Sequence, residues 1–260
     1  MKIINALLPK DIETLEIHLF ADEHIGDDNS DLDRLKKRIE YVQNKPNAYC
    51  ILNGDIIDYT SKTSIGDIEA REFNIMGQLE KAVELFSPIK DKIICITNGN
   101  HENRGYRKEG FDIARIMAYQ LGIGDTYSPA AAFIFLRFGS NRNHGRGEKE
   151  RRLYTIYVNH GSGGGRKEGA KAIRLADMAT VVDADIYIHS HTHLPMTMKE
   201  GFHRVDSRNN SLQNVTKLFV NTASNLDYGG YGEAQEFKPN SKDTPIILLS
   251  AQKREMKAIL

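Results

Sequence analysis

Short apolar runs that end abruptly in polar residues recur along the chain. The run over residues 93–97 is rich in β-branched side chains and stops at Asn98-Gly99-Asn100-His101, as expected of a strand buried on both faces. Four other runs, over 15–20, 49–52, 153–158 and 185–188, also end in groups that can bind a metal. Because ligands of open α/β sheets lie beyond the carboxyl ends of the strands, these five ends predict one shared site.

Helical patterns separate the strand patterns in the first half of the chain. Apolar residues recur every three or four positions over 28–44 and 67–87, which end ahead of Pro46 and Pro88, and again over 111–121 and 170–181. This alternation predicts parallel crossover units. Further strands are predicted over 131–138, 195–202, 218–223 and 245–251. The glycine- and arginine-containing segments 105–110 and 139–152 are predicted to be loops.

Length and charge narrow the class of protein. A chain of 260 residues is within the range of one α/β domain, and we expect a single domain over 1–260. A formal net charge of +0 argues against binding to DNA or to an anionic membrane by bulk charge. The two cysteines lie inside apolar runs and form no disulfide framework, and no run is long enough to cross a membrane. We therefore expect a soluble cytoplasmic protein with no membrane partner.

Seven side chains at the strand ends have the chemistry of metal ligands. Carboxylate, imidazole and amide groups together suit borderline to hard divalent ions such as Mn²⁺, Fe²⁺ or Zn²⁺. Seven ligands are too many for one catalytic ion with an open position, so they predict two ions, which clamp the attacking and leaving oxygens of a phosphoryl transfer. The seven are Asp22, His24, Asp55, Asn100, His160, His191 and His193.

Five motifs occur in the order typical of calcineurin-like metallophosphoesterases, and the chain resembles that superfamily. They are Asp22-Glu23-His24, Gly54-Asp55-Ile56-Ile57-Asp58, Gly99-Asn100-His101-Glu102, His160-Gly161 and Ser190-His191-Thr192-His193. Ser190 stands where the superfamily usually has glycine. The resemblance implies an α/β fold, a four-layer α/β/β/α sandwich of two mixed sheets flanked by helices, with the ligands on loops at one end of the sheets.

The resemblance also implies a role for each side chain. The resemblance divides the ligands into two sets and one bridging residue. One ion is held by Asp22, His24 and His193, and the other by Asn100, His160 and His191. Asp55 bridges the two ions. Manganese is the favoured metal, and a metal-bridging hydroxide attacks phosphorus. His101 protonates the leaving oxygen or stabilises its charge, and Asp58 holds His101 in orientation.

Basic residues near the ligands are candidates for substrate contacts. Arg104 and Arg166 lie within a few residues of ligands. One guanidinium group can bind two oxygens of a phosphate at once. The glycines of 161–165 could bring backbone N–H groups close to a phosphate. A solvated basic loop explains these residues equally well. His189 and Glu102, in contrast, are expected to support the structure rather than to react.

The sequence leaves three functions open. Hydrolysis of a phosphodiester, in a nucleotide or nucleic acid, is favoured because His101 suits a poor alkoxide leaving group. A phosphomonoesterase or protein phosphatase is the alternative, but Tyr59-Thr60 stands where protein phosphatases of the superfamily have Arg-Gly, which removes a contact to a phosphate dianion. A catalytically inactive scaffold is the third, and it is disfavoured because no candidate ligand is missing.

Overall fold

The computed structural model describes residues 1–59, 74–139, 152–234 and 236–260. The strands of these residues are β1 (Lys2–Leu8), β2 (Thr14–Phe20), β3 (Ala48–Asn53), β4 (Ile93–Thr97), β5 (Tyr127–Ser128), β6 (Ala132–Phe138), β7 (Leu153–Val158), β8 (Ile186–His189), β9 (Met196–Asp206), β10 (Ser211–Asn221), β11 (Ile246–Ser250) and β12 (Met256–Ile259). The helices are α1 (Leu32–Asn44), α2 (Ile75–Phe86), α3 (Asn100–Glu109), α4 (Ile113–Gln120), α5 (Glu168–Asp177) and α6 (Gly230–Ala234).

The strands form two sheets of six strands each. The first sheet has the order β1-β6-β7-β8-β10-β9, and the second has the order β12-β11-β2-β3-β4-β5. In the first sheet β7, β8 and β10 are parallel neighbours, and in the second β2, β3 and β4 are parallel neighbours. Antiparallel pairs, such as β6 with β7 and β11 with β2, make both sheets mixed.

Three apolar clusters lie between four layers, which are two sheets and the helices on the outer face of each. One lies between the sheets and joins the β2 side chains Leu15, Ile17 and Leu19 to residues of β6, β7, β8 and β10. A second packs α1, α2 and α4 on the outer face of the second sheet, and a third packs α5 on the outer face of the first sheet. Since alternate residues of a strand point to opposite faces, Phe20 of β2 belongs to the helix-covered cluster instead. The predicted α/β/β/α sandwich is confirmed.

One predicted loop is a helix. The segment 105–110 is predicted to be a loop, but α3 runs through Gly105 to Glu109 and is capped by Gly110, whose φ is 69°. Tyr59 packs closely against Gly105, since a Cβ atom at position 105 would lie 2.3 Å from the hydroxyl oxygen of Tyr59. The glycine therefore reflects close packing rather than flexibility.

Other elements also differ from the sequence prediction, and β5, β12 and α6 were not predicted. β1 was not predicted, because this strand, at one edge of the first sheet, leaves apolar side chains such as Ile3 exposed and so lacks a clear alternation. The hairpin of β9 and β10 is longer than predicted, since its outer half is mostly exposed and carries a polar pattern. The predicted loop at 139–152 and the start of the helix predicted at 67 lie largely outside the described residues.

No helix within the described ranges combines the length and the apolar character needed to cross a membrane.

Candidate metal centre

The carboxyl ends of parallel strands bring the predicted ligands to one side of the molecule. Asp22 and His24 follow β2, Asp55 follows β3, and Asn100, the first residue of α3, comes three residues after the end of β4. The other sheet contributes His160 after β7, and His191 and His193 after β8. Because β2, β3 and β4 run parallel, as do β7 and β8, all five loops leave their sheets at the same end.

The ligand loops have unusual backbone conformations. Five of the predicted ligands have a positive φ, between 48° and 65°: Asp22, His24, Asp55, His191 and His193. The left-handed region costs a residue with a Cβ atom about 1–2 kcal/mol, so it persists only where the surroundings impose it. These sharp turns direct the side chains back toward one another, and such strain is concentrated at functional sites.

One group of donors contains Asp22, His24 and His193. One ligand atom from each side chain lies within 4.8 Å of the others, and His193 Nε2 is 3.2 Å from Asp22 Oδ1. Asp22 and His24 are buried, whereas the His193 side chain is 30% exposed. The group is therefore open to solvent on the side of His193.

A second group contains Asp55, His160 and His191, again with ligand atoms within 4.8 Å. His160 Nε2 lies 3.2 Å from Asp55 Oδ2 and 3.2 Å from Asn100 Oδ1, which adds the amide oxygen to this group. The same nitrogen is 3.9 Å from Asp22 Oδ1. The two groups are thus adjacent, and all seven predicted ligands form one cluster.

The donor atoms of this cluster suit divalent cations. His160 Nδ1 is 2.6 Å from the carbonyl oxygen of Asn53, an arrangement that leaves Nε2 facing the carboxylates, as in metal-binding histidines. Seven buried side-chain atoms in the described part of the chain have no hydrogen-bond partner, and two of them, Asp22 Oδ1 and His24 Nε2, belong to predicted ligands. Buried polar atoms are rarely left unpaired, so these two atoms fit positions that a cation would occupy.

The electrostatics of the cluster also favour cations. Five acidic side chains are buried in or beside it: Asp22, Glu23, Asp55, Asp58 and Glu102. Burial alone would lower the pKa of His160, but the charge of Asp55 and a hydrogen bond to it outweigh burial and raise this pKa to about 10. Burial and the charge of His160 lower the pKa of His191 to about 4, which keeps that imidazole neutral. A concentration of negative charge out of water requires positive charge nearby.

A match to the model of a known protein family identifies the family of this chain. Residues 15–195 match the model of the calcineurin-like phosphoesterases, a range that includes every predicted ligand. The chain belongs to this family. Family membership and the His and Asp groups together mark a metal-dependent phosphoesterase.

The solved structures that are similar to this phosphoesterase have low sequence identity to it. A conserved uncharacterized protein from Streptococcus pneumoniae TIGR4, described as a predicted phosphoesterase, is 13% identical, with 95% of this chain and 98% of that chain covered and a TM-score of 0.37. A metallophosphoesterase from Sphaerobacter thermophilus is 14% identical, with coverages of 95% and 89% and a TM-score of 0.39. A single mutant of Vps29 from Entamoeba histolytica is 12% identical, with coverages of 95% and 100% and a TM-score of 0.40. No curated protein matches the chain.

His101 lies against the ligand cluster of the phosphoesterase. Its backbone N–H donates to Asp55 Oδ1 at 2.8 Å, and its Nδ1 is 2.5 Å from the carbonyl oxygen of Asp58. The Asp58 carboxylate is 3.4 Å from His101 Nδ1 and 3.7 Å from His24 Nδ1, so Asp58 lies between two imidazoles. Burial would lower the pKa of His101, but the charge of Asp55 and the hydrogen bond to Asp58 raise it to about 9.

The two predicted substrate-binding arginines have different surroundings. Arg104 Nη2 lies 3.1 Å from His101 Nε2, so its guanidinium group is at the ligand cluster. Arg166 is exposed, and its guanidinium carbon is 5.1 Å from the ring centroid of Phe237, a cation–π contact. The structure therefore brings Arg104, but not Arg166, into contact with a predicted site residue.

An arginine on α1 supports the first ligand loop of the phosphoesterase and was not predicted. Arg38 Nη1 donates to the buried carboxylate of Glu23 at 2.8 Å, and Nη2 donates to the carbonyl oxygen of Leu19 at 2.6 Å. Glu23 stands between the ligands Asp22 and His24. A signal existed in the sequence, because Arg38 is three residues after Leu35 and lies beside the apolar stripe of α1, where a charged residue needs a partner.

Gly161 is expected to be essential for the position of His160. Its φ is 96°, and a Cβ atom would lie 2.1 Å from Nε2 of the buried His189. Gly161→Ala should therefore lower the free energy of unfolding by at least about 2 kcal/mol, through backbone strain and overpacking. Urea unfolding measures this loss. The matched control is Gly164→Ala, since a Cβ atom there meets nothing within 4 Å, and equal effects of the two substitutions would contradict the packing argument.

Proposed function

We propose that this phosphoesterase binds two divalent cations and hydrolyses a phosphodiester of a nucleotide or nucleic acid. The observation that carries the proposal is that all seven predicted ligands form one cluster, with His101 beside it. In this proposal one cation is held by Asp22, His24 and His193, the other by Asn100, His160 and His191, and Asp55 joins the two sets. Manganese is the favoured metal, with iron and zinc as alternatives.

The cations supply the part of the chemistry that side chains cannot. When bound, such a pair provides a nucleophilic water at neutral pH and offsets the negative charge that develops on the phosphoryl oxygens. The residues of this chain do the rest. Asp55 and Asp22 hold negative charge that keeps cations in place, and the neutral imidazole of His191 presents a free nitrogen to them.

His101 is the proposed proton donor to the leaving oxygen. The Asp58 carbonyl oxygen accepts from Nδ1–H, which leaves Nε2 as the atom that transfers the proton. Arg104 is 3.1 Å from that same nitrogen. When Nε2 carries a proton, the Arg104 N–H has no lone pair to bind there and is available for a phosphoryl oxygen.

The surroundings of Tyr59 favour a diester over a monoester. Tyr59 is buried, its ring packs against Gly105, and its hydroxyl donates to Glu109 at 3.0 Å. It therefore adds no positive charge to the site at a position where protein phosphatases of the superfamily have arginine. A monoester carries a second negative charge that such an arginine would bind, whereas a diester carries one charge and does not require it.

A panel of substrates tests the proposed function. Purified protein with Mn²⁺ should hydrolyse bis-p-nitrophenyl phosphate faster than p-nitrophenyl phosphate, and should cleave a cyclic nucleotide or single-stranded DNA. His160→Ala should remove this turnover because His160 contacts both Asp55 and Asn100. Chelation followed by Mn²⁺ should remove and then restore it.

Other outcomes of the same panel identify the alternatives. Turnover of p-nitrophenyl phosphate alone would replace the diesterase by a phosphomonoesterase or protein phosphatase. Full activity after chelation would contradict the cation-dependent mechanism. A folded wild-type protein that binds cations and hydrolyses none of the four substrates would favour the inactive scaffold.

A further inference from the structure

Glu102 contacts the backbone of two ligand-bearing segments at once. Its carboxylate is 1% exposed and accepts four backbone N–H groups. Oε2 accepts from Asp55 at 2.9 Å and from Gly99 at 2.9 Å, and Oε1 accepts from Ile56 at 2.7 Å and from Ile57 at 3.2 Å. One side chain therefore connects the turn after β3 to the beginning of α3.

These four contacts suit an ionised carboxylate, and they oppose burial and the charge of Asp55, which raise the pKa of Glu102. Every partner of Glu102 is a donor, and an ionised carboxylate accepts at all of its lone pairs. Hydrogen bonds to a charged acceptor are about twice as strong as neutral ones, so four of them can hold a buried charge without water. A glutamine has nearly the same shape, but its NH₂ group would face backbone N–H groups and lose the contacts on one side.

The same contacts restrict Asp55, the only ligand proposed to join the two cation sets. Its backbone is left-handed, with φ of 51°, and its Oδ1 accepts from the backbone N–H of His101 at 2.8 Å. Gly99, at the same start of α3, also approaches this oxygen closely, since a Cβ atom on Gly99 would lie 2.1 Å from Asp55 Oδ1. The carboxylate of Asp55 is thus held between the start of α3 and a turn that Glu102 fixes.

We propose that Glu102 is a positioning residue for the cation pair: it holds the Asp55 turn and the start of α3, which carries Asn100, at a fixed separation. This inference rests on the proposed function, because it concerns the two cations of that site. Glu102 touches neither substrate nor cation in this role. It acts through Asp55 and Asn100, so its loss changes how the cations are held.

Glu102→Gln tests the role through cation binding rather than through activity. Mn²⁺ binding to the full chain, measured by equilibrium dialysis and metal analysis, should weaken at least about tenfold for one of the two ions, as for other residues that orient ligands. The electron paramagnetic resonance spectrum should change from that of a coupled manganese pair in the wild type to that of isolated ions. Glu102→Asp keeps the charge but shortens the side chain, so it should give an intermediate loss and serves if Glu102→Gln does not fold.

Asp185→Asn is the matched control. Asp185 is also a buried carboxylate, 5% exposed, and its Oδ2 accepts from the backbone N–H and the hydroxyl of Thr155, both at 3.0 Å. It precedes β8, at the end of that strand opposite to the ligand loop. Glu102→Gln and Asp185→Asn should both lower the stability toward urea. Only substitution of Glu102 should change the Mn²⁺ affinity and the spectrum of the coupled pair.

The outcomes separate this inference from the proposed function. A coupled pair with wild-type affinity in Glu102→Gln, or an equal loss of affinity in Asp185→Asn, would overturn the positioning role alone. A wild-type protein that binds no manganese pair would overturn the positioning role and the proposed function together.

Discussion

Asp55→Asn is expected to lower kcat for bis-p-nitrophenyl phosphate by about a thousandfold at saturating Mn²⁺. A cation clamp supplies several kcal/mol of transition-state stabilisation, and each ~1.4 kcal/mol corresponds to a factor of ten in rate. Asp55 lies between the two sets of ligands, with Oδ2 3.2 Å from His160 Nε2 and Oδ1 bonded to the start of α3. Asparagine keeps the size of the side chain but removes the charge, so the loss reports on the charge that holds both cations.

A carboxylate on α1 provides the control for this substitution. Asp33 has a side chain that is 84% exposed and forms a surface ion pair with Lys36 at 3.2 Å. Asp33→Asn should leave kcat unchanged, because an exposed pair of this kind contributes little to stability. Steady-state rates over a range of Mn²⁺ concentrations distinguish weaker cation binding from slower chemistry. Retention of more than about a tenth of the wild-type kcat in Asp55→Asn would show that Asp55 does not hold the pair.

His101→Asn is expected to reduce turnover by an amount that depends on the leaving group. A positioned general acid contributes about 100- to 10,000-fold, so a diester with an alkoxide leaving group should lose that much. With bis-p-nitrophenyl phosphate the loss should be much smaller, since nitrophenolate leaves without a proton. The measurement is the slope of log kcat against leaving-group pKa, which should be steeper in the variant than in the wild type.

An exposed histidine controls for general effects of the substitution. His203 of β9 is exposed, and His203→Asn should leave the turnover of both substrates unchanged. An equal loss on the alkyl and the nitrophenyl diesters in His101→Asn would assign His101 to substrate binding or to Asp55 geometry instead of proton transfer.

Much of the fold could be predicted because its signals are local. Alternation and apolar runs identified β2, β3, β4, β7 and β8, and the periodicity over 28–44 identified α1, which begins after the N-cap Asp31. Prediction failed where the surroundings of a residue are set by a contact with a residue far away in the sequence. Gly105 has the local signature of a loop, yet it lies inside α3, where Tyr59 leaves no room for a Cβ atom.

The sequence by itself determined the family, the order of the ligand motifs and the types of side chain at the strand ends, because all of these are properties of short stretches of chain. Only the tertiary structure decided which groups meet. The backbone of His191 donates to Asp22 across 169 positions, a contact that exists because two sheets pack with their parallel strands ending on the same side. Likewise, Arg166 stacks on Phe237, which lies far along the chain, and Glu102 accepts N–H groups from two segments. Such contacts depend on the packing of sheets and helices, which no single stretch of sequence encodes.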